Sequence, residues 1–280
     1  MLNKLVLKEP IVICDIGASP TDPTPFIDNL MNTTNSFLYG FEPNEDEYKK
    51  LTTTDKKKYF NYAVGNGKIE TLNICKSPGM SSILEPDLKY LDMFHNFSDW
   101  AEIIRRVKIN TKKLDDINFD KKIDFFKIDV QGYESEIIKY GQNKIQDSLV
   151  VLIETSTSPL YKGEKTFAHI YSELEKLGFQ LHMFKEINTR SFKPMILQDN
   201  IKTGLHHLFQ LDCIFIKNFD LINKLEIEEL KKMILILFYC FKSFDIVDYL
   251  INKLSKITKI DYISEYRSTV MTNIQFEKYY

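Results

Sequence analysis

The chain predicts an open α/β fold with a mainly parallel sheet, and three observations carry that expectation. Apolar runs of strand length alternate with stretches of helical periodicity, as βαβ units do. Two of those runs, Ile11-Val-Ile-Cys-Asp-Ile-Gly17 and Asp124-Phe-Phe-Lys-Ile-Asp-Val-Gln-Gly132, share an ending in which an acid is followed by a glycine. Two strands that each deliver a carboxylate and a tight turn to one sheet edge describe a ligand site, because open α/β sheets bind beyond the carboxyl ends of their strands.

Ile11–Asp15 reads as the first strand. The loop Ala18-Ser-Pro-Thr-Asp-Pro23 then leads into a helix around Phe26–Met31, whose N-terminus favours an anionic group. Phe37–Phe41 is the second strand, ended by Glu42 and by Pro43, which cannot continue a ladder. Tyr59–Val64 is the third. Residues 65–120 are less regular, with turns at Gly65-Asn66-Gly67 and Ser77-Pro78-Gly79, a short strand over Glu70–Ile74 and a helix over Ser98–Arg105.

Phe125–Val130 and Leu149–Glu154 are strands, with a helix over Ser135–Tyr140 directly after the Gln131-Gly132-Tyr133 turn. In the helix Phe167–Leu177 the residues Phe167, Ile170, Tyr171, Leu174 and Leu177 recur at helical spacing, and Gly178 follows. Phe179–Phe184 and Leu211–Lys217 close the sheet. Beyond residue 218 the character changes, and residues 227–257 form two helices meeting near Lys242–Phe244. The organisation is therefore a sheet domain over 1–218 and a helical extension over 219–280. Leu230, Met233, Ile234, Leu237 and Phe241 are spaced to cover a core. Docking onto the sheet domain is the favoured use of that face, with homo-oligomer formation or a substrate lid as alternatives.

Charged residues make up 27% of the 280, hydrophobic ones 44%, and the net charge is −2, which opposes broad binding to nucleic acid or to an anionic membrane. Cys14, Cys75, Cys213 and Cys240 have no close pairs, so neither a zinc pattern nor a disulfide framework is present. No metal motif is legible. Lys4, Lys8, Glu9 and Pro10 break any signal-peptide grammar, and the apolar run Met233–Phe241 is far shorter than the roughly 20 residues of a membrane span. A cytoplasmic protein with no membrane span is the default.

Four positions carry the ligand argument. Asp15 and Gly17 join a carboxylate to a backbone that can turn tightly and approach a ligand closely. The loop is not GxGxxG, so the dinucleotide fingerprint is absent. Glu42 ends the second strand, where a carboxylate can accept hydrogen bonds from both hydroxyls of a ribose. Asp129 ends the strand after the irregular segment.

With these in view, the sequence resembles the FkbM family of S-adenosylmethionine-dependent methyltransferases, a branch of the Rossmann-like class I methyltransferases. The matching segments run in order: Asp15-Ile-Gly-Ala18, Phe41-Glu-Pro43, Ala63-Val-Gly65, Ser81-Ser-Ile-Leu84, Leu114-Asp-Asp-Ile117 and Lys127-Ile-Asp-Val-Gln-Gly-Tyr-Glu134. Ile153-Glu154, Pro159-Leu-Tyr161, Leu177-Gly-Phe179 and Asp212-Cys-Ile-Phe-Ile216 follow. Ser19 stands where the family usually has Asn, and Gln131 where it usually has Glu.

The resemblance implies a seven-stranded, mostly parallel sheet with an antiparallel last strand. It implies S-adenosyl-L-methionine as methyl donor and S-adenosyl-L-homocysteine as product. By position, Asp15, Gly17 and Ala18 would lie at the methionine part, Glu42 at the ribose, and Ala63 and Val64 near the adenine. Asp129 and Glu154 would end neighbouring strands and face the methyl group. There a carboxylate pair could orient an acceptor hydroxyl, with one acid as base, or hold a divalent cation. A hydrogen-bonding structural acid is the other reading of Glu154.

His206 and His207, just before the last strand, are the rival bases. Ser81 and Ser82 either line the substrate entrance or cap their own loop. Tyr161 is either a rim residue or a packing aromatic. The leading function is O-methylation of a hydroxyl on a sugar, glycan or other small metabolite, a substrate class that rests on the resemblance alone. An NAD-dependent oxidoreductase and a non-catalytic binding scaffold are the alternatives. An antiparallel last strand discriminates against the oxidoreductase.

Overall fold

The computed structural model describes residue 2 and residues 4–273 of the chain. It divides into two compact units, one of residues 12–23 and 37–218, the other of the described residues within 1–11, 24–36 and 219–280.

The elements run in the order expected for alternating strands and helices. They begin with β1 (Ile11–Ile16), α1 (Pro25–Thr33), β2 (Ser36–Phe41), α2 (Glu45–Tyr48), β3 (Lys57–Phe60), β4 (Ala63–Val64) and β5 (Ile69–Cys75). Next come α3 (Leu88–Leu91), α4 (Phe97–Trp100), β6 (Ile103–Lys112), β7 (Phe125–Ile128), α5 (Glu134–Lys139), α6 (Gln142–Asp147) and β8 (Val150–Ser156). The remainder is α7 (Phe167–Lys176), β9 (Phe179–Thr189), β10 (Leu208–Lys217), α8 (Phe219–Ile222), α9 (Ile227–Phe241), α10 (Phe244–Thr258) and α11 (Ile263–Asn273).

Seven strands form one sheet in the order β3-β2-β1-β7-β8-β10-β9. β1, β7 and β8 pair in parallel, as do β2 and β3. β10 is inserted between β8 and β9 and runs antiparallel to both. This is the seven-stranded sheet with an antiparallel last strand that the sequence led us to expect. All residues of β1 and β7 are buried, which is why both read as continuous apolar runs rather than alternating ones. Val12, Cys14, Phe126, Ile128, Val151, Ile153, Cys213 and Phe215 share a single core cluster.

Two local expectations are corrected. The run Tyr59–Val64 is split between sheets: β3 ends at Phe60, and β4 pairs in parallel with β6 in a separate three-stranded sheet. The Asn61 side chain between them donates to the Glu42 carbonyl at 2.9 Å, which anchors the break. Ser98–Arg105 is not a helix throughout. Helix α4 stops at Trp100, and from Ile103 the chain is the ten-residue strand β6, antiparallel to β5. The sequence-distant β5 decides this conformation, because strand preference depends on the partner more than on local pattern.

The second unit is helical. The ring of Phe26 on α1 lies 6.0 Å from that of Phe241 on α9, and Asn29 Nδ2 donates to the Tyr239 carbonyl at 2.7 Å. A capping box of Glu226 and Glu229 starts α9, and Lys242 in the left-handed region (φ 52°) ends it. Arg267 of α11 grips Asp248 of α10 through two bonds of 2.7 Å.

Candidate active site

The carboxyl ends of β1, β2 and β7 meet at an open cavity of about 790 Å³. At β1 the chain turns at Gly17, whose φ is +91°. A side chain there is excluded, because a Cβ would stand 1.8 Å from the Asp129 carbonyl oxygen. The Gly17 and Ala18 amides both donate to the Phe41 carbonyl at 3.0 Å, and the Asp129 amide donates to the Ile16 carbonyl at 3.0 Å. This crossing holds Asp15, Gly17, Ala18, Glu42 and Asp129 at one edge.

Lys127 is the electrostatic centre, and sequence reasoning did not select it. It pairs in register with Asp15 across β1 and β7, and its side chain is only 6% exposed. Its Nζ lies 3.3 Å from Asp22, 3.5 Å from Asp129 and 3.6 Å from Asp15. Burial alone would lower its pKa, but these three acids outweigh burial and raise it. Burial raises the Asp15 pKa despite Lys127. Asp15 Oδ1 has no hydrogen-bond partner among the described residues, and neither does the buried Glu47 Oε2.

Glu42 Oε1 accepts the Asn44 amide at 2.7 Å. Burial first, then the charges of Glu47, Asp15 and Asp129, push its carboxyl up to about 7 against the lowering effect of that amide. Ala63 and Val64 line the cavity with Phe41, Tyr62, Ile83 and Tyr133, so an apolar and aromatic wall faces the acids.

On the β8 side, Gln131 Nε2 donates to Asp129 Oδ1 at 2.9 Å and to Glu154 Oε2 at 2.8 Å. Burial works against ionisation of Asp129, but Lys127, Gln131 and Glu154 together lower its pKa. Burial, followed by Asp129, Asp212 and Glu134, raises that of Glu154 well above the carboxylate range. Lys127 and Gln131 thus favour the charged form of Asp129, and burial disfavours that of Glu154. The turn between them carries two left-handed residues, Gln131 (φ 58°) and Gly132 (φ 94°). Glu134 Oε1 ties that turn by accepting the Val130 and Gly132 amides at 3.0 and 3.1 Å.

Of the other residues picked out by sequence, Ser81 lines the cavity and its Oγ accepts the Cys75 amide at 3.1 Å. Ser82 is buried and donates to the Gln131 carbonyl at 2.7 Å. Tyr161 is also buried, its hydroxyl 3.0 Å from Gln131 Oε1 and 3.2 Å from the Met80 carbonyl. His206 is exposed in the β9–β10 connection, outside the described lining of the cavity. His207 bonds to Tyr90 at 3.0 Å and stacks on Phe94. Among the described residues there is no cluster of three or more His, Cys, Asp or Glu disposed to hold a metal, and no helix long and apolar enough to cross a membrane.

Comparison with known proteins follows this geometry. Curated proteins give no match. Among solved structures, a magnesium protoporphyrin IX methyltransferase from Synechocystis, crystallised with S-adenosylmethionine, is similar at 9% identity, with a TM-score of 0.39 over 75% of this chain and 71% of that one. A putative methyltransferase from Thermoplasma acidophilum matches at 9% identity and a TM-score of 0.37, over 76% and 70% of the two chains. TYW2 from M. jannaschii, crystallised in complex with AdoMet, matches at 12% identity and a TM-score of 0.31, over 77% of this chain and 74% of that one. The family model of the methyltransferase FkbM domain matches residues 15–181, more than half of the sequence. The chain belongs to the FkbM methyltransferase family.

Proposed function

We propose that this FkbM-family protein is an S-adenosylmethionine-dependent O-methyltransferase acting on a hydroxyl of a sugar, glycan or small metabolite. The observation that carries the reading is the cavity beyond β1, β2 and β7, lined by Gly17, Glu42, Glu47 and Asp129, with a Glu47 oxygen and, on the adjoining Asp15, an oxygen that have no hydrogen-bond partner among the described residues. Those oxygens fit a ligand that brings an ammonium and several hydroxyl donors. Glu42 and Glu47 would hold the ribose, Tyr62, Ala63 and Val64 the adenine, and Asp15, Asp22 and Gly17 the amino-acid end. The cofactor supplies a methyl group on an already activated sulfonium.

The chain's own residues then have two tasks, orientation and proton removal. Asp129, charged and lining the cavity, is placed to accept the acceptor hydroxyl's proton. Asp129 would take up the proton that the acceptor hydroxyl gives up on receiving that methyl group. The antiparallel β10 supports methyl transfer over hydride transfer to a nicotinamide.

Calorimetric titration with S-adenosylmethionine and S-adenosylhomocysteine tests the reading. Glu42→Ala should weaken binding about 10- to 100-fold, the worth of hydrogen bonds to a charged group. Hydroxyl donors favour ionised Glu42, so binding expels a proton wherever the free carboxyl still carries one. With that group titrating at about 7, affinity should fall as pH drops from 8 to 6, and Glu42→Gln should flatten the trend. No binding by the wild type would overturn the proposal.

A further inference from the structure

Gln131 occupies the left-handed region at φ 58°, an uncommon conformation for a residue with a long side chain. Its amide is fully committed. The two Nε2 hydrogens go to Asp129 and Glu154, and Oε1 faces the buried Tyr161 hydroxyl at 3.0 Å. Turned over, the amide would set its oxygen against the Asp129 carboxylate, so these partners fix its orientation. The Gln131 carbonyl is held as well, by Ser82 at 2.7 Å.

We propose that Gln131 is a positioning residue whose amide takes the point between the Asp129 and Glu154 carboxyl groups that a divalent cation would otherwise take, and so holds the pair in place at the cavity wall. Two acids brought this close cannot both ionise freely. A bridging cation is one remedy. The chain instead supplies a two-hydrogen donor and leaves one proton on the pair. A glutamate at 131 would remove the donor and add a third carboxyl.

The charged groups around the pair come from every neighbouring element. They are Lys127 beside Asp129 on β7, Asp15 on β1, Asp22 on the following loop, Glu42 at the end of β2, Glu134 on α5, and Asp212 on β10 with Lys185 of β9 at 2.9 Å. Of these cations, Lys127 lies against Asp129, at 3.5 Å. The clamp is a property of the chain itself; its service to an acceptor hydroxyl rests on the methyltransferase reading above.

Thermal unfolding of the full chain tests it, comparing wild type with Gln131→Glu at pH 5.5 and 8, in EDTA and in millimolar Mn²⁺. A third carboxyl raises the folded-state pKa of the group, so stability is retained at low pH and lost as pH rises. Gln131→Glu should therefore melt at least about 4 °C below wild type at pH 8. It should recover at pH 5.5 or on adding Mn²⁺, while the wild type ignores the cation. If Gln131→Glu fails to fold, Gln131→Ala should show the same pH sense and the same Mn²⁺ response.

Stabilisation of the wild type by Mn²⁺ that Asp129→Asn abolishes would overturn the clamp. So would variants that match wild type in both pH and cation response. S-adenosylhomocysteine in a parallel melt separates the two readings. A shift in the wild type with no clamp signature fails this inference alone, and a clamp signature without that shift fails the cofactor reading alone.

Discussion

Asp129 has acids on both sides, and the two flanks are neutralised by different means. Toward β1, Asp15, Asp22 and Asp129 gather around the ammonium of Lys127. Toward β8, Asp129 and Glu154 share the Gln131 amide, and burial opposes the ionisation of Glu154. The ionic flank sets three acids against one base. The amide flank leaves a neutral acid. One sheet edge thus presents a charged half suited to cationic and hydroxyl groups, and beside it a half in which ionisation is suppressed.

The comparison breaks most completely at Lys127. Lys127→Met strands the buried Asp15 and the partly buried Asp129 beside an exposed Asp22, and removing one partner of a buried ion pair costs about 3–5 kcal/mol. Denaturant unfolding should show that loss at neutral pH. The loss should shrink as pH falls through the carboxylate range, because the stranded acids then take up protons.

Glu154→Gln should act with the opposite sign. The wild-type group has a raised folded pKa, so its cost appears as pH climbs above its unfolded value near ~4.3. The variant should gain on wild type by about 1 kcal/mol or more between pH 5 and 8. Glu42 and Glu134, pushed by burial to about 7 and about 8, keep a residual slope in both proteins. A variant that loses ground with rising pH would contradict a neutral Glu154. The smallest change is expected from Tyr161→Phe, which frees Gln131 Oε1 and the Met80 carbonyl from one hydroxyl and should cost about 1 kcal/mol in the same assay.

The strand ends were readable because Asp15, Glu42 and Asp129 each follow a largely apolar run, and Gly17 and Pro43 mark where the run must stop. Lys127 had a signal that went unused. A lysine inside Phe125-Phe-Lys-Ile128, a strand buried on both faces, is tolerated only with partners. Gln131 was noticed as a missing acid, whereas the structure shows a donor, because hydrogen-bond direction depends on neighbours from β8 and from Tyr161. Asp22 sits in a proline-rich loop, and its ion pair with Lys127 joins residues far apart in sequence, which no local pattern announces. The strand β6 escaped for the same reason, its partner β5 being separated from it by the α3–α4 segment.

The helical unit draws on three separate stretches of chain, with α1 near the start meeting α9 near the end. During synthesis the apolar face of α1, with Ile27, Leu30 and Met31, is made roughly 200 residues before its partner, at ~5–20 residues per second. For that interval the nascent chain carries a greasy stripe with nothing of its own to cover it. A gene cut after codon 218 would make the exposure permanent. For anyone shortening this protein, the last helices are the counterpart of the first.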